Sequence, residues 1–125
     1  MAKVVGIGHM SYTVMDMDKS LHFYCDLLGG KLLTQTVDEG PELGKYVMGD
    51  MLKDPYGKLK VAMVDLAGLQ IEFLQYLVPE TNVPYHGNPS IAGSAHIAVN
   101  VDDIEGIYKK LKDEGVVFHS EINDC

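Results

Sequence analysis

Residues 6–30 read GIGHMSYTVMDMDKSLHFYCDLLGG, and residues 93–115 read GSAHIAVNVDDIEGIYKKLKDEG. Both pass from a glycine-rich entry to a histidine, then to a short alternating run ending in Val, an acidic cluster and a helix-like stretch closed by Gly. With His9 laid over His96, Val14 falls on Val101, Asp16 on Asp103 and Leu21 on Tyr108. A unit that occurs twice and cannot bury its apolar face alone packs by pseudo-symmetry. Equivalent strand positions then face a common axis, so His9 and His96 are expected to meet, across the seam between modules or between two chains.

Working outward, Val4 to Met15 alternates as a strand does, with His9, Ser11 and Thr13 on one face and Met10, Tyr12 and Val14 on the other. From Asp18 to Leu28 the period changes. Leu21, Tyr24, Cys25 and Leu28 form an amphipathic helical stripe, Asp16 or Asp18 can cap its start and Gly29-Gly30 can end it. Lys31 to Val37 reads as a second strand. Glu39 to Tyr56 is broken by Gly40, Pro41, Gly44, Gly49 and Pro55, as a loop or short helix acting as a lid would be. Asp54-Pro55-Tyr56-Gly57 reads as a type I turn. Lys58–Leu66 and Leu69–Leu77 flank Ala67-Gly68, a spacing that predicts an antiparallel hairpin.

In the second copy His96, Ala98 and Asn100 share a strand face. Asp102 with Glu105 resembles a capping box; Ile104, Ile107, Tyr108 and Leu111 form the stripe, and Gly115 stops the helix. Val116 to Glu121 is expected as a further strand. The fold class is thus α+β, in one domain over 1–125: a first module over about 4–78, a linker over 79–93 rich in Pro and Gly, and a second module over about 94–125.

The 125 residues are 46% apolar, enough for one core. Eighteen acidic against ten basic residues give a net charge of -8, which repels phosphate backbones and anionic membranes. Nucleic acid and membrane are therefore not expected as partners, and the start MAKVVGIG lacks the ordered regions of a signal peptide. Cys25 and Cys125 make no disulfide framework, so a cytoplasmic location is the default, with Cys125 an end able to oxidise between chains. No GxGxxG or GxxxxGKS motif cradles a nucleotide. His22 and His86 read as surface residues, His119 is left open, and Asp38, Glu39 and Glu42 read as solvated loop acids. Met48, Met51 and Met63 with Tyr46 and Tyr56 either fill a core gap or line an apolar pocket.

Three stretches carry a resemblance: IGHMSYTVMDMDKSLHFYCDLLGGKLL at 7–33, LQIEFLQY at 69–76 and SAHIAVNVDDIEGIYKKLKDEGVVF at 94–118. Together they resemble the vicinal oxygen chelate superfamily, which includes glyoxalase I, methylmalonyl-CoA epimerase, extradiol dioxygenases and the fosfomycin and bleomycin resistance proteins. The resemblance implies paired βαβββ modules forming a half-open β-barrel around a divalent metal (Zn, Ni, Co, Mn or Fe), with His9, Glu72 and His96 at the ligand positions. Two imidazoles and a carboxylate with open positions suit such ions. In the family the second module closes with two more strands, the last bearing a Glu that is both ligand and base; nothing in 1–125 matches them, so the second module reads as truncated.

A Glu on the fourth strand is the arrangement of glyoxalase-like lyases, whereas extradiol dioxygenases take their acid from the eighth. The resemblance therefore implies a metal-dependent lyase or isomerase that abstracts a proton next to a carbonyl, through an enediolate, on a small-molecule substrate and as a homodimer. Glu72 is the acid left to serve as catalytic base. Two rivals are a ring-cleaving dioxygenase and a non-catalytic drug-binding module. All ten basic residues are Lys, and the absence of Arg weighs against a glutathione carboxylate as the recognised group.

Overall fold

The computed structural model describes residues 1–51, 53–85 and 87–124. The expectations for His86 and Cys125 lie outside the described residues. The chain forms two compact units, residues 1–85 and 86–125.

The first unit is organised by its hairpin. β3 (Gly57–Leu66) and β4 (Leu69–Val78) pair antiparallel with Leu66 opposite Leu69. The connecting Ala67 and Gly68 both have positive φ, 51° and 95°, which is the type I′ geometry that matches strand twist. Asp65 Oδ1 accepts from the Gly68 amide at 2.9 Å. β1 (Met10–Thr13) joins β4 in parallel and β2 (Lys31–Gly40) joins β3 antiparallel, giving the order β1-β4-β3-β2.

β1 is shorter than the expected Val4–Met15, and for the residues before Gly8 the reason is that the partner strand has not yet begun. Met10 lies opposite Ile71, two residues past the start of β4, so the chain before Gly8 has no strand to bond; Val4, Val5 and Ile7 are exposed. β2 is longer than expected for the complementary reason, since β3 offers partners as far as Gly57, opposite Gly40.

Alternation sorts the sheet into two faces. Ala62, Val64, Ile71 and Phe73 are fully buried on one, with Met17 and Leu27 from the segment packed over it. That segment is α1 (Met17–Leu21) followed by a π-helical turn (His22–Leu27), rather than one regular helix over Asp18–Leu28. Leu28 N–H bonds Phe23 C=O at 3.0 Å, one residue further back than in an α-helix. The wider turn leaves Tyr24 stacked on Phe73 with ring centres 4.6 Å apart, so packing against the sheet compensates the irregularity. Burial, and after it the neighbouring Tyr12, pushes the Tyr24 hydroxyl up from its ordinary range; burial, and after it Asp26, does the same to the Cys25 thiol.

Asp16, not Asp18, caps α1, its Oδ1 accepting from Lys19 N–H at 3.1 Å. Within the expected lid, α2 (Leu43–Met48) and a 3-10 turn (Gly49–Met51) form. Glu39 is no free loop acid: it lies on β2, accepts from Tyr56 Oη at 2.5 Å and stands 3.8 Å from Lys58 Nζ. Asp54 Oδ1 accepts from Tyr56 N–H at 3.0 Å, an Asx turn.

The second unit contains α3 (Ile104–Asp113). Asp103, rather than the expected Asp102, is its cap, accepting from Gly106 N–H at 2.9 Å; Glu105 is therefore one residue too early to close a capping box. The helix ends in a Schellman motif, with Val116 N–H on Leu111 C=O and Gly115 N–H on Lys112 C=O, both at 3.0 Å, and Gly115 at φ 85°. Tyr108 packs on Phe118 at 4.6 Å and Leu111 is buried. The strands expected from Ser94 and over Val116–Glu121 are not formed among the described residues. A strand exists only through a hydrogen-bonded neighbour, and the described residues of this unit offer none.

Candidate active site

Glu72 sits on β4 between Ile71 and Phe73, both fully buried. Strand alternation therefore turns Glu72 to the other, open face. The parallel register sets Ser11 directly opposite it, and Ser11 Oγ donates to Glu72 Oε1 at 3.2 Å. His9, one residue before β1 and two before Ser11, reaches the same oxygen, with Nε2 at 3.5 Å.

That separation is informative. It is long for a hydrogen bond, whereas two donors each roughly 2.1 Å from one tetrahedral ion stand roughly 3.4 Å apart. An imidazole and a carboxylate at this spacing, half exposed on one face, are a donor set that fits a divalent cation. Ser11 fixes the carboxylate from its side, as outer partners of ligating carboxylates do. Within the first unit, no third His, Cys, Asp or Glu among the described residues joins this pair.

His96 belongs to the second unit, in the stretch ahead of α3 that forms neither helix nor strand, where it is exposed. His22, expected at the surface, is exposed with its Nδ1 2.8 Å from Asp26 Oδ2; His119 is exposed in the second unit.

Ser11 shares the face expected for His9 but was not among the expected site residues; the period of two that singles out His9 also delivers Ser11. Beyond it on the open face come Thr13 on β1, and Leu74 and Tyr76 on β4. A hollow of about 390 Å³ opens there, lined by Thr13, Tyr76 and, from α2 and its following turn, Val47, Met48 and Met51. Met48 and Met51 thus take the pocket-lining alternative, with Tyr76 in place of Tyr46 and Tyr56.

The observed β-α-β-β-β order, with an acid and an imidazole converging on the open face, defines an α+β module of the paired-module kind. The model of the glyoxalase/bleomycin resistance protein/dioxygenase superfamily matches residues 6–124, and the chain belongs to that family. It is 25% identical over 109 residues to a 2-epi-5-epi-valiolone epimerase of an Actinomyces species, covering 86% of this chain and 58% of that protein. It is 31% identical over 123 residues to a lactoylglutathione lyase of Schizosaccharomyces pombe, covering 94% of this chain and 40% of that one. The chain thus spans about half the length of these curated relatives. Among solved structures, a glyoxalase family protein from Bacillus cereus superposes with a TM-score of 0.82 at 20% identity, covering 99% of this chain and 81% of that one. A genomically encoded fosfomycin resistance protein from Listeria monocytogenes gives 0.57 at 16%, covering 98% and 76%. These two likenesses concern the fold.

Proposed function

We propose that this chain is a divalent-metal-dependent lyase or isomerase that moves a proton at a carbon next to a carbonyl. The observation that carries the proposal is the His9–Glu72 pair, 3.5 Å apart on the open sheet face with Ser11 on the same carboxylate oxygen. His9 and Glu72 would hold the ion, and the family resemblance implies His96, the repeat's equivalent of His9, as the third ligand. A divalent ion, when bound, supplies Lewis-acid polarisation of the substrate carbonyl. The names of the relatives, a lyase and an epimerase, support chemistry of this class.

Glu72 is the residue that takes and returns the proton. Its carboxylate is on a rigid central strand, flanked by buried residues, which limits its motion to the side chain alone. Ser11 donates to Oε1, which leaves Oε2 as the oxygen for the proton. The test has two readouts on protein purified without chelator or affinity-column metal. Mass spectrometry should find near-stoichiometric metal in the wild type, reduced at least ~10-fold in His9→Ala, because a two-donor remnant holds these ions poorly. Hydrogen exchange at the α-carbon of a bound hydroxyketone should fall ~100-fold or more in Glu72→Gln. Unchanged metal in His9→Ala together with unchanged exchange in Glu72→Gln would overturn the proposal.

A further inference from the structure

We propose that the substrate carries an uncharged apolar substituent, seated in the hollow between α2 and the open face of the sheet, and that this seat discriminates against a substituent ending in a carboxylate. This rests on the carbonyl-substrate reading above and adds the chemical class of what the carbonyl is attached to.

Three observations carry it. The first is continuity. Ser11 and Thr13 are successive residues of one face of β1, and Glu72, Leu74 and Tyr76 are successive residues of the matching face of β4. The hollow begins at Thr13, two residues from the carboxylate and so roughly 7 Å along the strand. A chain of a few carbons attached to a carbonyl held at Glu72 spans that distance.

The second is composition. The volume of about 390 Å³ is at the small end of the roughly 300–1,000 Å³ of ligand pockets. Val47, Met48 and Met51 give it a soft apolar wall, and methionine adapts to chains and rings alike. The third is charge. Among the described lining residues the charged one is Glu80, an acid; the whole chain carries -8 and has no Arg. A carboxylate entering this hollow loses water without gaining a cation.

The experiment compares two hydroxyketones of equal length, hydroxymethyl hexyl ketone and the same molecule with its terminal methyl replaced by carboxylate, with hydroxyacetone as the tail-less reference. Proton NMR in heavy water follows exchange at the hydroxymethyl carbon, where a proton passes to the Glu72 carboxylate and a deuteron returns to the same carbon. The wild type should exchange the hexyl ketone at least about tenfold faster than its carboxylate, the desolvation of an unpaired anion setting the direction. Met48→Lys and, separately, Val47→Lys should bring that ratio to one or below. The ratio is taken on one protein sample, so it is independent of the fraction folded.

Equal rates for the two ketones in the wild type, or a ratio unmoved by both lysines, would overturn the hollow's role; if exchange still depended on Glu72, the proposed function would stand. If hydroxyacetone and both ketones failed to exchange, the proposed function would fall, and line broadening of the two ketones would judge the hollow alone. Selective broadening of the hexyl ketone, lost in the lysine variants, would support it, and equal or absent broadening would overturn it.

Discussion

The two copies of the repeat part company in an instructive way. In both, the helix begins on an aspartate that accepts from an amide three residues on, Asp16 from Lys19 and Asp103 from Gly106. In both it stops at a glycine of positive φ, Gly29 at 80° and Gly115 at 85°. Their strands differ. Met10–Thr13 is a strand because β4 lies beside it, while the equivalent residues after His96 alternate as well and form none among the described residues. Helix ends are written in a few adjacent residues, whereas a strand needs a partner that the local sequence does not contain.

The comparison can be broken most decisively through the two cores. Phe73→Ala removes a fully buried ring stacked on Tyr24 and should cost about 3–5 kcal/mol. Leu111→Ala, in the unit whose helix leans on local caps, should cost closer to ~2 kcal/mol. Urea unfolding followed by circular dichroism measures both, and a larger loss at Leu111 would reverse the ranking of the two units. The caps sharpen the likeness at a finer scale: Asp16→Ala and Asp103→Ala should each cost ~1 kcal/mol, and a difference well beyond that would mean one cap serves more than its helix.

The smallest effect is set by pH. The Tyr24 hydroxyl is held above its ordinary range, first by burial and then by Tyr12. The folded unit therefore keeps this proton where the unfolded chain releases it. Stability from this source is complete below the unfolded value near pH ~10 and is lost as pH rises from there through the folded value. A thermal melt series from neutral to strongly alkaline pH should show the decline, and Tyr24→Phe should flatten it.

Much of this was legible because the signals are short-range. Ala67-Gly68 between two β-rich runs marked the hairpin that forms. The π-helical turn at His22–Leu27 was not legible, since nothing in the stripe of Leu21, Tyr24, Cys25 and Leu28 distinguishes a wider turn from an α-helical one; the packing of Tyr24 on Phe73, distant in sequence and adjacent in space, accompanies the wider turn. Nor was the start of β1 legible, since the residues before Gly8 lie beyond where β4 begins. The cap of α3 moved by one residue, from Asp102 to Asp103, because adjacent aspartates offer the same chemistry and only the backbone turn chooses between them.

Where α2 crosses the sheet, Gly57 meets the backbone of Gly44 so closely that a methyl group on Gly57 would lie 2.7 Å from the Gly44 nitrogen. Gly44 N–H bonds Pro55 C=O at 2.7 Å at the same place. The clearance under α2 is thus a main-chain dimension, fixed where no side chain intervenes. The side chains that line the hollow can then be exchanged one at a time while the spacing between α2 and the sheet stays as the main chain sets it.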